Sequence, residues 1–227
     1  MPVGVVSGLP RETACLTPDG APHPDLLTSA GVGPERAAEG ARGLLAAGAQ
    51  GLVSFGVAGG MAPGVDAGSL VLADTVLHGT DRFATDAAWR KAISEKLGDA
   101  VPLVSGTLVG VDAMVATAEA KAVLAHESGA IACDMESHAV AAVAAEAGVP
   151  YIVLRAISDP HTHDVPVWVL RCLTPKGDVK IAKLLGQLAR RPWALPELMM
   201  LARDSKSAFA TLRRVARLAG AGLAFGL

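Results

Sequence analysis

The chain has 227 residues, 51% apolar and 19% charged, with a formal net charge of −2. That length favours one α/β-sized domain, the composition is too apolar for a disordered chain, and no apolar run reaches the roughly 18–20 residues of a membrane span. Three widely spaced cysteines (Cys15, Cys133, Cys172) with no C-x-x-C pair exclude a disulfide scaffold and a zinc ribbon.

In chain order, Val3–Ser7 reads as a strand that stops at the turn Gly8-Leu9-Pro10. Residues 17–33 are rich in Pro and Gly and read as a loop. Pro34 to Ala47 has a helical pattern, with Pro near the first turn and Gly48 past the end. Leu52–Phe55 reads as a buried strand leading into Gly56-Val57-Ala58-Gly59-Gly60, and Ser69–Leu77 as another strand. Thr85–Leu97 is helical, Leu103–Leu108 a strand and Glu119–Glu127 a helix. Ile131–Met135 is a strand leading into a helix from Ser137 to Ala147, and Tyr151–Ile157 is the most strand-like run of all. This alternation predicts a single α/β domain over residues 1–170, with a mixed twisted sheet flanked by helices on both faces. Aromatic residues make up 4% of the chain, so its core must be built from Ala, Val, Leu and Ile.

Charge divides the chain unevenly. Residues 1–170 carry 9 Lys+Arg against 19 Asp+Glu; residues 171–227 carry 11 against 3. The basic C-terminal extension, 171–227, includes Arg190, Arg191, Arg203, Lys206, Arg213, Arg214 and Arg217. Ala208, Phe209, Leu212, Val215, Ala216 and Ala219 fall on one helical stripe within it. Two readings stay open: a helix packed on the domain with a solvated basic face, or a segment drawn to anionic lipid, with Trp193, Phe209 and Phe225 as anchors. Nucleic acid is not expected as a partner, because the body is acidic and lacks an aromatic platform. The start Met1-Pro2-Val3-Gly4 has no basic segment leading into an apolar one, so the expected location is cytoplasmic, with peripheral contact at the inner membrane surface if the tail binds lipid.

In a sheet of this kind the ligand crevice lies beyond the carboxyl ends of the strands. Four such ends carry informative residues: Gly8 to Glu12, Gly56 to Gly60, Asp134-Met135-Glu136, and Ser158-Asp159. Neither glycine turn fits a nucleotide phosphate loop or a dinucleotide fingerprint. Three carboxylates at strand ends (Glu12, Glu136, Asp159) suggest acid–base work or binding of sugar hydroxyls. His161, His163 and Asp164 lie in an unpatterned loop and read as no metal site. Arg155, inside a strand, reads as one half of an internal ion pair.

Cys133-Asp134-Met135-Glu136-Ser137, followed by Val149-Pro150 and then Arg155-Ala-Ile-Ser158-Asp159, resembles the signature of the nucleoside phosphorylase and methylthioadenosine/S-adenosylhomocysteine nucleosidase superfamily. Gly56-Val-Ala-Gly-Gly60 with Asp66-Ala-Gly-Ser-Leu-Val-Leu-Ala-Asp74 resembles its glycine loop and following strand, and Gly4-Val-Val-Ser-Gly8 with Glu12 its opening strand. The short front half, the basic tail and the Leu9-Pro10-x-Glu12 turn are most similar to the hopanoid-associated phosphorylase branch. That resemblance implies cleavage of the N-glycosidic bond of an adenosine-type nucleoside, adenosylhopane in that branch, with release of adenine.

Residue by residue, the resemblance implies that Asp159 is the general acid at purine N7 and that Glu136 binds the ribose hydroxyls. It implies that Glu12 activates water, and that Met135, Gly56, Val57, Ala58, Gly59 and Ser158 contact the substrate. Gly8 and Arg11 would hold the phosphate or water. No cofactor or metal is implied, and phosphate is a co-substrate only if the bond is split by phosphorolysis. Val57 stands where many relatives have a Ser or Thr, and Ser54 where hexameric phosphorylases carry a phosphate-binding Arg, so phosphorolysis and hydrolysis stay open. A homo-oligomer, dimer or larger, is implied as well. The alternatives are a soluble methylthioadenosine/S-adenosylhomocysteine nucleosidase and a noncatalytic nucleoside- or lipid-binding protein on the same scaffold.

Overall fold

The computed structural model describes residues 1–17, 24, 26–172, 174 and 180–226. The first half runs β1 (Val3–Ser7), α1 (Pro10–Leu16), β2 (Leu26–Ser29), α2 (Pro34–Ala46), β3 (Gly51–Gly60), β4 (Leu70–His78), β5 (Asp81–Ala84) and α3 (Ala87–Leu97). The second half runs β6 (Leu103–Gly110), α4 (Ala118–Ser128), β7 (Ala132–Asp134), α5 (Ser137–Ala147), β8 (Tyr151–Asp159), α6 (Val167–Leu170), α7 (Ile181–Arg190) and α8 (Leu195–Ala219).

All eight strands belong to one mixed sheet, and β3 is its hub. The first half of β3 lies parallel to β1 on one edge, and β8 runs parallel to β3 along nearly its whole length. At Ala58/Gly59 the β3–β8 register slips, and the last residues of β3, Gly59 and Gly60, pair antiparallel with Cys133 and Ala132 of β7. The β7 strand continues in parallel to β6, β6 to β4, and β4 returns antiparallel to β8. The path β3–β7–β6–β4–β8–β3 is therefore a closed ring. A bulge adds local twist and bends a strand, which is what turning this corner requires. The ring brings the ends of β3, β7 and β8 together.

Two apolar layers cover the sheet. On one face α1, α3 and α8 pack through Leu16, Trp89, Ile93, Phe209, Leu212 and Val215 against Phe55, Leu70 and Leu154. On the other, α2 and α5 pack through Ala37, Ala41, Val140 and Ala144 against Leu52, Val71 and Val153. The small side chains of α5, SHAVAAVAAEA, let that helix lie close to the strands, and seven of its residues are buried.

The structure differs from the sequence expectations at several places. The segment read as a loop over 17–33 contains β2, which pairs Gly4 with Leu26 and Ser7 with Ser29; residues 18–23 and 25 of that loop lie outside the described residues. The turn read at Gly8-Leu9-Pro10 leads directly into a helix, Pro10–Leu16, for which no element was expected; Pro10 occupies its first turn, where the missing N–H costs nothing. The β3 strand runs on to Gly60 where Phe55 was the expected end, since glycines in a ring corner are tolerated when neighbouring backbones approach closely. The stripe Ala208, Phe209, Leu212, Val215 and Ala216 is buried on the sheet, so α8 is a core element with a solvated basic face.

Candidate active site

Four chain segments converge on one cavity of about 150 Å³ that opens to solvent. It is lined by Gly8, Leu9 and Glu12, by Val57, Ala58 and Gly59, by Cys133 to Glu136, and by Ser158 and Asp159; Val32, Met114 and Val115 form part of its apolar wall. Most of the residues singled out in the sequence thus meet here. Two stand elsewhere. Arg11 is exposed on the far side of α1, its guanidinium 4.8 Å from the centre of the Phe209 ring, so it is not placed to hold an anion in this cavity. Gly56 lies behind the cavity wall: a Cβ there would overlap the Glu12 carboxylate and the Arg155 guanidinium. Its requirement is for close approach of two charged groups, with no ligand involved.

Glu12 is fixed by the start of α1. Its Oε2 accepts the Leu9 N–H at 2.8 Å and its Oε1 the Val57 N–H at 2.8 Å, so one carboxylate bridges the end of β1 and the turn of β3. Burial pushes its pKa up, while Arg155 and these N–H groups pull it back. Glu136 precedes α5, and its Oε1 accepts the Gly33 N–H at 3.1 Å. Burial lifts its pKa to about 7, against Arg155 and with the neighbouring Asp134 and Glu12 charges adding to the rise. Gly8 separates the two carboxylates: a Cβ at Gly8 would sit 3.3 Å from Glu136 Oε1 and 3.6 Å from Glu12 Oε2.

Beneath them lies Arg155, 1% exposed on β8. Its Nε is 2.6 Å from Asp134 Oδ2, and one terminal nitrogen is 3.4 Å from Glu136 Oε2 and donates to Ser54 Oγ at 2.8 Å. The other donates to the Val57 carbonyl at 3.3 Å. Asp134 in turn accepts the Ser137 N–H at 2.9 Å and the Ser137 hydroxyl, which holds the first turn of α5 in place. The internal ion pair expected for Arg155 is therefore a network, and Ser54 belongs to it. Gly56→Ala should break this arrangement. Overpacking of this kind costs about 1–3 kcal/mol, so the urea midpoint should fall together with activity.

Asp159 closes the opposite wall. Its Oδ1 accepts the Ser158 hydroxyl at 2.8 Å, and its Oδ2 is 2.8 Å from Lys121 Nζ. Burial pushes the Asp159 pKa up; the Lys121 ammonium and the Ser158 hydroxyl pull it back. Lys121 is wholly buried and also donates to the carbonyls of Asp159, Pro160 and His163 at 3.1–3.2 Å. Sequence reasoning missed it. In Ala118-Glu-Ala-Lys121-Ala the lysine has the look of a solvated helix charge, and nothing in its neighbours shows that α4 turns it inward. Cys133 lines the cavity as a neutral thiol, its pKa pushed up to about 12 by burial and by the Asp159 and Asp134 charges.

In the loop after β8, His163 and Asp164 serve structure. His163 Nδ1 lies 2.7 Å from Asp204 of α8, and Asp164 accepts the Ala118 N–H at the start of α4. Among the described residues, His78, Asp112 and His138 also draw together. The two imidazoles stack 4.0 Å apart at 14°, so their in-plane lone pairs run side by side and do not converge on one ion. Each ring approaches the same Asp112 oxygen, at 3.5 and 3.8 Å.

Residues 23–171 match the model of a family described as the phosphorylase superfamily. No curated protein matches the sequence. Among solved structures, the 5′-methylthioadenosine/S-adenosylhomocysteine nucleosidase of Neisseria meningitidis, in complex with methylthio-immucillin-A, superposes with a TM-score of 0.70 at 18% identity, over 95% of this chain and 97% of that one. The futalosine hydrolase of Helicobacter pylori superposes with a TM-score of 0.68 at 17% identity, over 95% and 97%. The nucleosidase of S. pneumoniae with a transition-state inhibitor gives 0.67 at 19%, over 96% and 99%. At these identities the structural likeness is one of fold.

Proposed function

The chain belongs to the phosphorylase superfamily, and from that premise we propose that it hydrolyses the N-glycosidic bond of an adenosine-type nucleoside and releases adenine. The observation that carries this reading is the placing of Glu12, Glu136 and Asp159 around one cavity, each held near a different strand end. Breaking the bond leaves positive charge on the ribose and negative charge on the departing base. Asp159, whose pKa burial pushes up against the pull of Lys121, gives its proton to purine N7, which turns the base into a good leaving group. Glu136 accepts the ribose hydroxyls, and its negative charge stabilises the oxocarbenium-like sugar. Glu12, oriented by two backbone N–H groups, takes the proton of the attacking water. Solved structures of this fold include a nucleosidase in complex with methylthio-immucillin-A and a futalosine hydrolase, which accords with this chemistry.

Water is favoured over phosphate by charge. Among the described residues lining the cavity none is Lys or Arg, while four are carboxylates. The two buried cations beside it are already engaged, Arg155 with Asp134 and Glu136, and Lys121 with Asp159. A phosphate dianion would find no uncommitted cation among the described lining residues. The 5′ substituent we read as apolar, because Val32 and Met114, 38% and 52% exposed, stand at the cavity wall. The resemblance to the hopanoid-associated branch points to adenosylhopane. The test is a product analysis with methylthioadenosine, S-adenosylhomocysteine and adenosylhopane, each with and without phosphate. Adenine and free sugar at equal rates in both buffers are expected; a strict need for phosphate, with ribose-1-phosphate ends, would overturn hydrolysis.

Lys121 sets the pH range of Asp159 on this reading. Its ammonium favours the ionised carboxyl, so Lys121→Met should raise the Asp159 pKa further. The alkaline limb of the kcat/KM profile, where the acid loses its proton, should then move to higher pH. An unmoved limb in a folded variant would show that Lys121 only fills space.

A further inference from the structure

The α7 helix is strongly amphipathic, and among the described residues its apolar side is only partly covered: Leu184 and Leu188 are half-buried, Ile181 and Leu185 exposed. Ile181, Leu184, Leu185 and Leu188 recur at i, i+3, i+4 and i+7 and form one stripe, with Lys183 and Arg190 on the opposite side. No residue of the helix is buried; Ile181 and Leu185 are 66% and 58% exposed. Trp193, in the turn that follows, is 74% exposed, and Leu195 and Met199, one turn apart at the start of α8, are exposed too. A run of exposed apolar side chains of this kind marks an interaction surface.

Its charge selects the partner. Residues 180–203 hold five cations (Lys180, Lys183, Arg190, Arg191, Arg203) against the single acid Glu197. An anionic bilayer meets both requirements: headgroups for the cations, and the acyl boundary for the leucines and Trp193. We propose that α7 and the turn after it dock the enzyme on an anionic membrane surface. This moves lipid contact away from α8, whose apolar stripe is spent on the core, to the segment just before it.

The docking face is also tied to the site. From Asp159 the chain passes along α4, where the Val165 N–H donates to the Ala116 carbonyl at 2.7 Å, and enters α6. There Lys183 Nζ donates to the Arg171 carbonyl at 2.6 Å, the Lys180 N–H to the Cys172 carbonyl at 2.8 Å, and the Arg191 guanidinium lies 5.9 Å from the Trp168 ring centre. For its purpose, delivery of a lipid-linked nucleoside, the proposal rests on the apolar-substituent reading above; membrane binding itself does not.

The test uses the full chain and vesicles of phosphatidylcholine with or without about a third phosphatidylserine, with no substrate present. Sedimentation should show at least about tenfold stronger partition onto the anionic vesicles, weakened by salt. I181S/L185S/W193S should lose most of that binding and keep wild-type turnover of a soluble nucleoside, and W193F alone should lose the fluorescence blue shift that anionic vesicles induce. Three results would overturn the proposal: equal sedimentation of wild type and triple variant, no preference for anionic vesicles, or a triple variant whose solution mass drops by an integral factor, which would make the face an interface between copies. Turnover of the soluble nucleoside is read separately, so failure of the catalytic reading is seen independently of the vesicles.

Discussion

Asp159→Asn should lower kcat for adenine release by about 10²–10⁴-fold, the range spanned by loss of a general acid, while KM and thermal stability change little. The amide is nearly the same shape as the acid. It can still accept from Ser158, and Lys121 keeps its three carbonyl partners, so no buried cation is stranded without hydrogen bonds. What the amide cannot do is release a proton to purine N7. The loss should be smallest for substrates whose leaving base is already a weak base, because these need protonation least. Steady-state kinetics on methylthioadenosine and on an analogue with an activated leaving group would read this directly. Undiminished kcat in Asp159→Asn would remove the carboxyl from the chemistry.

Arg155→Met should be the most destabilising single change in the molecule. The arginine is the cation shared by Asp134 and Glu136, it also lowers the pKa of Glu12, and all four groups are buried. Removing one partner of such a network leaves uncompensated charge in the interior, at a cost of about 3–5 kcal/mol. The deficit should depend on pH. Glu136 holds its proton up to about 7 in the fold, against 4.5 as its ordinary value. Its raised pKa therefore contributes stability that is fully present below about pH 4.5 and is lost as pH rises through about 7. Without Arg155 the pKa values of Glu136 and Glu12 rise further, so both carboxyls can stay neutral in acid and must be buried as anions in base. Urea unfolding at pH 5 and pH 8 should show a small deficit at the first and a large one at the second. A deficit independent of pH would mean that lost packing, and not lost charge, is responsible.

The parts of this site that were legible in the sequence are those set by strand ends. Glu136 and Asp159 each follow a short apolar run, and Gly56 to Gly60 interrupts another, so a sheet reading alone places them on one rim. Arg155 could be read as paired because a charge inside a strand needs a partner. Lys121 could not, since the decision to bury it is made by α4 packing against the loop after β8, a contact 38 residues distant. Arg11 and Gly56 erred for a related reason. Neighbourhood in sequence put Arg11 beside Glu12, but consecutive helical residues point to different faces, and α1 turns one in and the other out. The β2 strand was hidden because Leu26–Ser29 is too short and too close to the Pro/Gly segment to show alternation; its pairing with β1 creates it. The amphipathic stripe of the tail was visible at α8, where the fold consumes it, and overlooked at α7, where the fold leaves it partly exposed.

On the proposed mechanism, one cavity grips a purine riboside between the carboxyl at the end of β8 and the one that precedes α5. A crystal structure with methylthio-immucillin-A, the inhibitor seen in the Neisseria meningitidis nucleosidase, tests it most directly. An Asp159 oxygen is expected within hydrogen-bond reach, about 2.6–3.2 Å, of the base N7, with the Glu136 carboxylate on the sugar hydroxyls. An inhibitor seated elsewhere, or one whose base faces away from Asp159 while that carboxyl stays on Lys121 and Ser158, would contradict it.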